Sequence, residues 1–92
     1  MRRIAYTSEL FEEDGQVVAL CPELNVSSYG NTSTEALDSL KEAVELFLDE
    51  CGKLGTLDMI LEEAGYRREP GGSDRWIHRQ PIQVNRLEAA VA

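Results

Sequence analysis

The sequence predicts an α+β domain, a small antiparallel sheet with one long helix packed on one of its faces. Three observations carry that expectation. Residues 32–52 repeat apolar side chains at three-and-four spacing, residues 3–21 alternate with a period of two around an Asp-Gly turn, and 92 residues are enough for one core. The predicted order is β-β-β-α, followed by a short helix and a C-terminal strand.

Residues 3–11, RIAYTSELF, place Ile4, Tyr6, Ser8 and Leu10 on one face and Ala5, Thr7, Glu9 and Phe11 on the other, which is strand periodicity. Glu12-Glu13-Asp14-Gly15 ends in a pair that tolerates positive φ, and residues 16–21, QVVALC, are rich in β-formers, so the two runs read as an antiparallel hairpin. Val17, Ala19 and Cys21 share one face and Val18 and Leu20 the other. Apolar residues on both faces mark this strand as central. Pro22 removes a backbone donor and ends it. Residues 25–29, NVSSY, form a short polar third strand suited to a sheet edge, and Gly30-Asn31 turns the chain into the helix.

In the helix, Ala36, Leu37, Leu40, Ala43, Val44, Phe47, Leu48 and Cys51 fall on one side, with Leu46 straying to the wet side. Glu35, Asp38, Glu42, Glu45, Asp49 and Glu50 occupy the remaining arc. Thr32 is the expected N-cap, Glu35 reaches back to it, and Gly52 is the expected left-handed terminator. A helix of that extent is about 28 Å long, enough to cross a small sheet. A second helix is expected over residues 57–64, capped by Thr56 and closed by Gly65, with Tyr66 packing back on its last turn. Residues 69–74, EPGGSD, read as a loop. Beyond them, residues 75–77 and 82–87, IQVNRL, can each be extended, with Pro81 confining the second to an edge. Residues 1–66 thus form the β-β-β-α-α domain, and residues 67–92 a loop plus an extended tail or strand docked on that domain or on a partner subunit.

The chain carries 17 acidic and nine basic side chains, a net charge of −8. Residues 1–65 hold fourteen acids and four bases, whereas residues 66–92 hold three acids and five bases. The folded body therefore disfavours direct DNA or RNA binding, which draws on clustered Lys and Arg, and favours a basic protein partner. Surplus carboxylates that merely keep a small domain soluble are the plain alternative. No apolar run approaches the roughly 20 residues of a membrane span, and Met1-Arg2-Arg3 opens no signal peptide, so a cytoplasmic location is expected. Cys21 and Cys51 are expected to remain reduced as small apolar side chains.

Little in the sequence points to a reaction. Two separated cysteines and one histidine do not compose a zinc site, and Gly71-Gly72 is flanked by neither the strand nor the helix of a phosphate loop. Ser27 and Ser28 have no base in view, and His78 is the sharpest candidate for a reactive group, with a surface or interface histidine as its plain reading. No metal or cofactor is implied. Trp76 with Arg75, Arg79 and Arg86 suggests nucleic-acid stacking, or else an aromatic anchor that holds the tail to the body. A single helix on one sheet leaves an edge uncovered, so a homodimer or higher symmetric assembly is expected, through Asn25, Val26, Ser27, Ser28 and Tyr29 or through Ile82 and Val84.

Taken together, these elements resemble the HicB-like antitoxin family of bacterial toxin–antitoxin pairs. The shared features are Pro22-Glu23-Leu24 at the end of the second strand, the polar third strand running into Gly30, TSTEAL over residues 32–37 and LKEAVEL over residues 40–46. The match covers about residues 3–51 and extends loosely to 66. The resemblance implies an RNase H-like remnant without the metal-binding acids of that enzyme. It also implies a non-enzymatic protein that binds and neutralises a small basic RNA-cleaving toxin, with Glu35, Asp38, Glu42, Glu45, Asp49 and Trp76 as expected partner contacts. An orphan regulatory or scaffold domain of the same family, without a toxin partner, is the alternative. Residues 81–87, PIQVNRL, resemble the first strand of a ribbon-helix-helix, yet the two helices of that DNA-binding module do not follow.

Overall fold

A computed structural model describes residues 2–72 and 74–92. The elements run β1 (Arg3–Ile4), β2 (Glu9–Glu13), β3 (Gln16–Cys21), β4 (Val26–Gly30), α1 (Ser33–Leu54), α2 (Leu57–Glu63), β5 (Tyr66–Arg68) and β6 (Arg75–His78). The α+β class and the long helix on a sheet face are as the sequence predicts, but the strands form two sheets. One is an antiparallel meander, β2-β3-β4, with β3 at its centre. The other has the order β1-β6-β5, with β1 and β6 parallel and β5 and β6 antiparallel.

The single strand expected over residues 3–11 is split, and hydrogen bonding explains where. The Ala5 amide donates to the Trp76 carbonyl at 3.1 Å, on the side of the second sheet. Two residues on, the Thr7 amide donates to the Glu23 carboxylate at 3.1 and 3.2 Å rather than to a strand. Between these two bonds the chain passes from one sheet to the other. The C-terminal strand is likewise corrected. It is Arg75–His78, whereas residues 82–87 form no strand, and Ile82, Val84 and Leu87 are exposed. Asn25 lies outside β4, in the preceding turn with φ 55°, and Gly30 belongs to the strand.

Helix α1 lies mainly on β4 and then on β3. Ala36, Leu40 and Val44 meet Ala19 and Cys21 in a first core, while Leu61, Tyr66 and Trp76 form a second. Leu24 and Leu48 pack against both cores and join them. Fully burying a side chain such as Leu40 or Leu61 contributes roughly 1.5–3 kcal/mol, so these few residues hold the two sheets to one body.

At the start of α1, Thr32 Oγ1 accepts from the Glu35 amide at 3.1 Å, and the Glu35 carboxylate accepts from the Asn31 amide at 3.0 Å. Thr32→Ala is expected to cost about 1 kcal/mol, lowering the melting temperature by about 4–8 °C, which thermal unfolding followed by circular dichroism will measure. The helix runs past Gly52, the expected terminator, and closes at Gly55 with φ 73°. There Thr56 N–H bonds the Cys51 carbonyl at 3.0 Å, so Thr56 completes the end of α1 and its side chain caps no α2 amide. Gly65, with φ 96°, follows α2 as expected, and Tyr66 is buried. Among the described residues, no helix is long and apolar enough to cross a membrane.

Candidate functional site

Helix α1 turns one side into the first core, and its other side carries the candidate residues. Glu35, Asp38, Glu42, Glu45 and Asp49 are all exposed. Their spacing of three, four, three and four keeps them on one line along the helix, about 21 Å from end to end. The line is therefore a continuous row of carboxylates rather than a scattered solvated face.

The five acids are not equivalent. Glu35 is engaged in the N-terminal cap and serves the fold first. Asp49 pairs with Lys53 at 3.6 Å, an exposed i,i+4 contact worth about 0.3–0.5 kcal/mol, which a partner's cation can displace at small cost. Glu42, Glu45 and Asp49 border a groove of about 1080 Å³ between α1 and the β1 side of the molecule. Leu46, 69% exposed, opens into it beside them, and Tyr6 and Leu48 add apolar wall. Leu46 strays from the buried stripe as the sequence indicates, and its position gives the acidic row an apolar contact point. Across the groove stand Arg2 and Arg3, with Arg2 held to Asp58 at 2.6 Å. Burial pushes the Tyr6 phenol up from its ordinary pKa, and the charges of Cys21 and Glu45 add to the shift. At neutral pH Tyr6 is thus an uncharged donor at the groove wall.

Trp76 does not belong to this surface. It is 3% exposed, packed in the second core, with the Arg68 guanidinium 5.2 Å from its ring centroid. That burial corrects the expectation of a partner contact and agrees with the aromatic-anchor reading. It also removes the ring from base stacking. On β4, Ser27 and Tyr29 are exposed, whereas Val26 and Ser28 point toward α1 and are half-buried. In β4, therefore, the face opposite α1 is the accessible one.

A second cleft, about 590 Å³, gathers Thr7, Glu23, His78 and Arg79, a grouping that separate inspection of the segments does not reveal. Its polar groups are engaged internally. His78 Nε2 lies 2.7 Å from the Ala64 carbonyl and Nδ1 lies 3.1 Å from the Arg79 carbonyl, with the ring edge-on to Tyr66 at 5.0 Å. His78 therefore ties the end of α2 to β6. Glu23 accepts from the Thr7 amide and, at 2.7 Å, from the Thr7 hydroxyl. Burial alone would raise the Glu23 pKa, but the side-chain and backbone hydrogen bonds outweigh it and hold the carboxyl below its ordinary value.

A depressed folded-state pKa contributes stability above the unfolded value, here 4.5, and that contribution disappears as pH falls through the folded value. Denaturant unfolding at pH 7 and pH 3 is expected to show wild-type stability falling more steeply toward acid than that of Glu23→Gln, because only the wild type loses this contribution. Equal acid sensitivity of the two proteins would mean that the bonds from Thr7 do not hold the Glu23 carboxyl below its ordinary value.

Cys21 and Cys51 are buried free thiols, and burial, its largest cause, pushes the Cys21 pKa up. Among the described residues, no three His, Cys, Asp or Glu side chains converge to hold a metal ion. Comparisons with protein-family profiles, curated proteins and solved structures find no match for this chain.

Proposed function

We propose that this chain is a non-enzymatic binding module of the HicB-like antitoxin type, which covers and neutralises a small basic RNA-cleaving protein. The observation that carries the reading is the row of exposed carboxylates on α1, with Glu42, Glu45 and Asp49 bordering a groove that also presents Leu46. An anionic row with an apolar contact in its midst offers a basic partner both electrostatic steering and a desolvated anchor. The antiparallel meander running directly into α1 supports the RNase H-like remnant that the resemblance implies. The burial of Trp76 weighs against the nucleic-acid alternative.

Co-expression with a small basic protein encoded beside this chain, followed by affinity capture and an RNA-cleavage assay, tests the proposal. A complex that no longer cleaves RNA is the expected result. Failure to form a complex, or a complex that cleaves freely, removes the antitoxin function.

A further inference from the structure

Among the described residues, one strand edge and one exposed arm are left open, and side chains of the two can meet. The first is β2, an edge strand bonded only to β3 among the described residues, with all five residues exposed. Leu10 is 41% and Phe11 48% exposed, on opposite faces of the strand. Glu9, Glu12, Glu13 and Asp14 make this strand and its turn strongly acidic. The second is the arm of residues 82–92, exposed throughout, which leaves the body after Arg79, whose amide donates to the Gly65 carbonyl at 3.4 Å. Ile82 and Val84 alternate with Gln83 and Asn85, as in a strand with one apolar face, and Arg86 is the arm's one base beside one acid, Glu88.

We infer that the arm of one copy of this chain adds to the β2 edge of a second copy, and that the exchange is reciprocal, giving a two-fold symmetric dimer. An open strand edge with apolar side chains is a template for another strand, and the main-chain ladder supplies affinity while side chains set the register. In an antiparallel register Val84 lies beside Phe11 and Arg86 beside Glu9, while Ile82 falls beside Glu13 at the end of the strand. The acidic strand rejects a second β2, which disfavours direct pairing of the two edges. The arm also reaches outward. The radius of gyration is 15.8 Å, against about 12 Å for a compact domain of this length. An outstretched arm suits exchange between copies, in which each chain gives a strand and receives one. This inference is independent of the toxin-binding proposal, since β2 and the arm lie apart from the acidic row on α1.

Sedimentation equilibrium of the full chain from 1 to 200 µM, without any partner, tests it. The expected mass is that of two chains, with Val84→Asp and Arg86→Glu each weakening association by about tenfold or more. Adding Glu9→Arg to Arg86→Glu should restore the dimer, because the swapped charges face each other again. Val84 is exposed, so Val84→Asp should leave the melting transition of the isolated chain in place. A one-chain mass across the whole range overturns the inference, including the case in which the arm folds back on its own β2. A two-chain mass that neither substitution alters, or a charge swap that fails to restore it, also overturns the inference.

Discussion

Gly30→Ala is expected to be among the most damaging single-methyl additions in this chain. A Cβ built at Gly30 would lie 2.6 Å from the Ala36 amide nitrogen, 2.7 Å from Glu35 Cβ and 2.8 Å from the Glu35 carbonyl carbon. Backbone atoms in the first turn of α1 cannot rotate away as a side-chain tip can. The helix must therefore lift off β4, which opens the contact between Ala36 and Leu40 and the sheet. Overpacking of this kind costs about 3 kcal/mol, a fall of about 12–24 °C in melting temperature for a domain of this size. Gly52→Ala is the matched control, because nothing lies within 4 Å of its added Cβ and the residue sits inside α1. That substitution is expected to stabilise by about 0.5–1 kcal/mol. Opposite signs from the same chemical change, read by thermal and urea unfolding, would establish that α1 is seated on β4 through Gly30. A tolerated Gly30→Ala would mean that the helix is seated differently.

The second large effect is on binding. Replacing Glu42, Glu45 and Asp49 together by lysine turns the groove side of the acidic row basic, while the three positions remain exposed and outside both cores. Each reversal exchanges an attraction for a repulsion worth on the order of 1 kcal/mol, so affinity for a basic partner should fall at least about 100-fold. Raising salt should weaken wild-type binding and have much less effect on the variant. The fold should be nearly untouched, since exposed substitutions of this kind shift stability by about 0.5 kcal/mol each. Calorimetric titration beside a thermal melt separates the two consequences. Unchanged affinity would place the partner on another face of the molecule.

Much of this architecture is legible in the sequence because local periodicity determines it. The stripe from Ala36 to Cys51, the hairpin around Asp14-Gly15, the central position of β3 and the departure of Leu46 from the buried face all follow from spacing. What spacing does not contain is the identity of the partner. Residues 3–11 alternate without interruption, yet the Glu23 carboxylate takes the Thr7 amide and the chain changes sheets there. Residues 82–87 alternate as a strand should, but no described strand pairs with them. Gly52 resembles a helix terminator by type, whereas the bond from Thr56 to the Cys51 carbonyl carries the helix one turn further, to Gly55. The candidate acids were legible as exposed charges, and their organisation into one row follows from the same spacing. The groove beside them was not legible, because it depends on where β1 sits relative to α1. Trp76 could be assigned to the core only once β5 and α2 were placed around it.

The proposed function requires the acidic side of α1 to cover a basic RNA-cleaving protein. Its most direct test is a titration of this chain into any small basic protein encoded beside it, at a fixed concentration well above the dissociation constant, with cleavage of a labelled RNA as the readout. The prediction is a linear loss of cleavage that reaches zero at a fixed stoichiometric ratio, with the lysine triple variant inactive over the same range. Undiminished cleavage in the presence of a large excess of the wild-type chain, or equal inhibition by the triple variant, would contradict it.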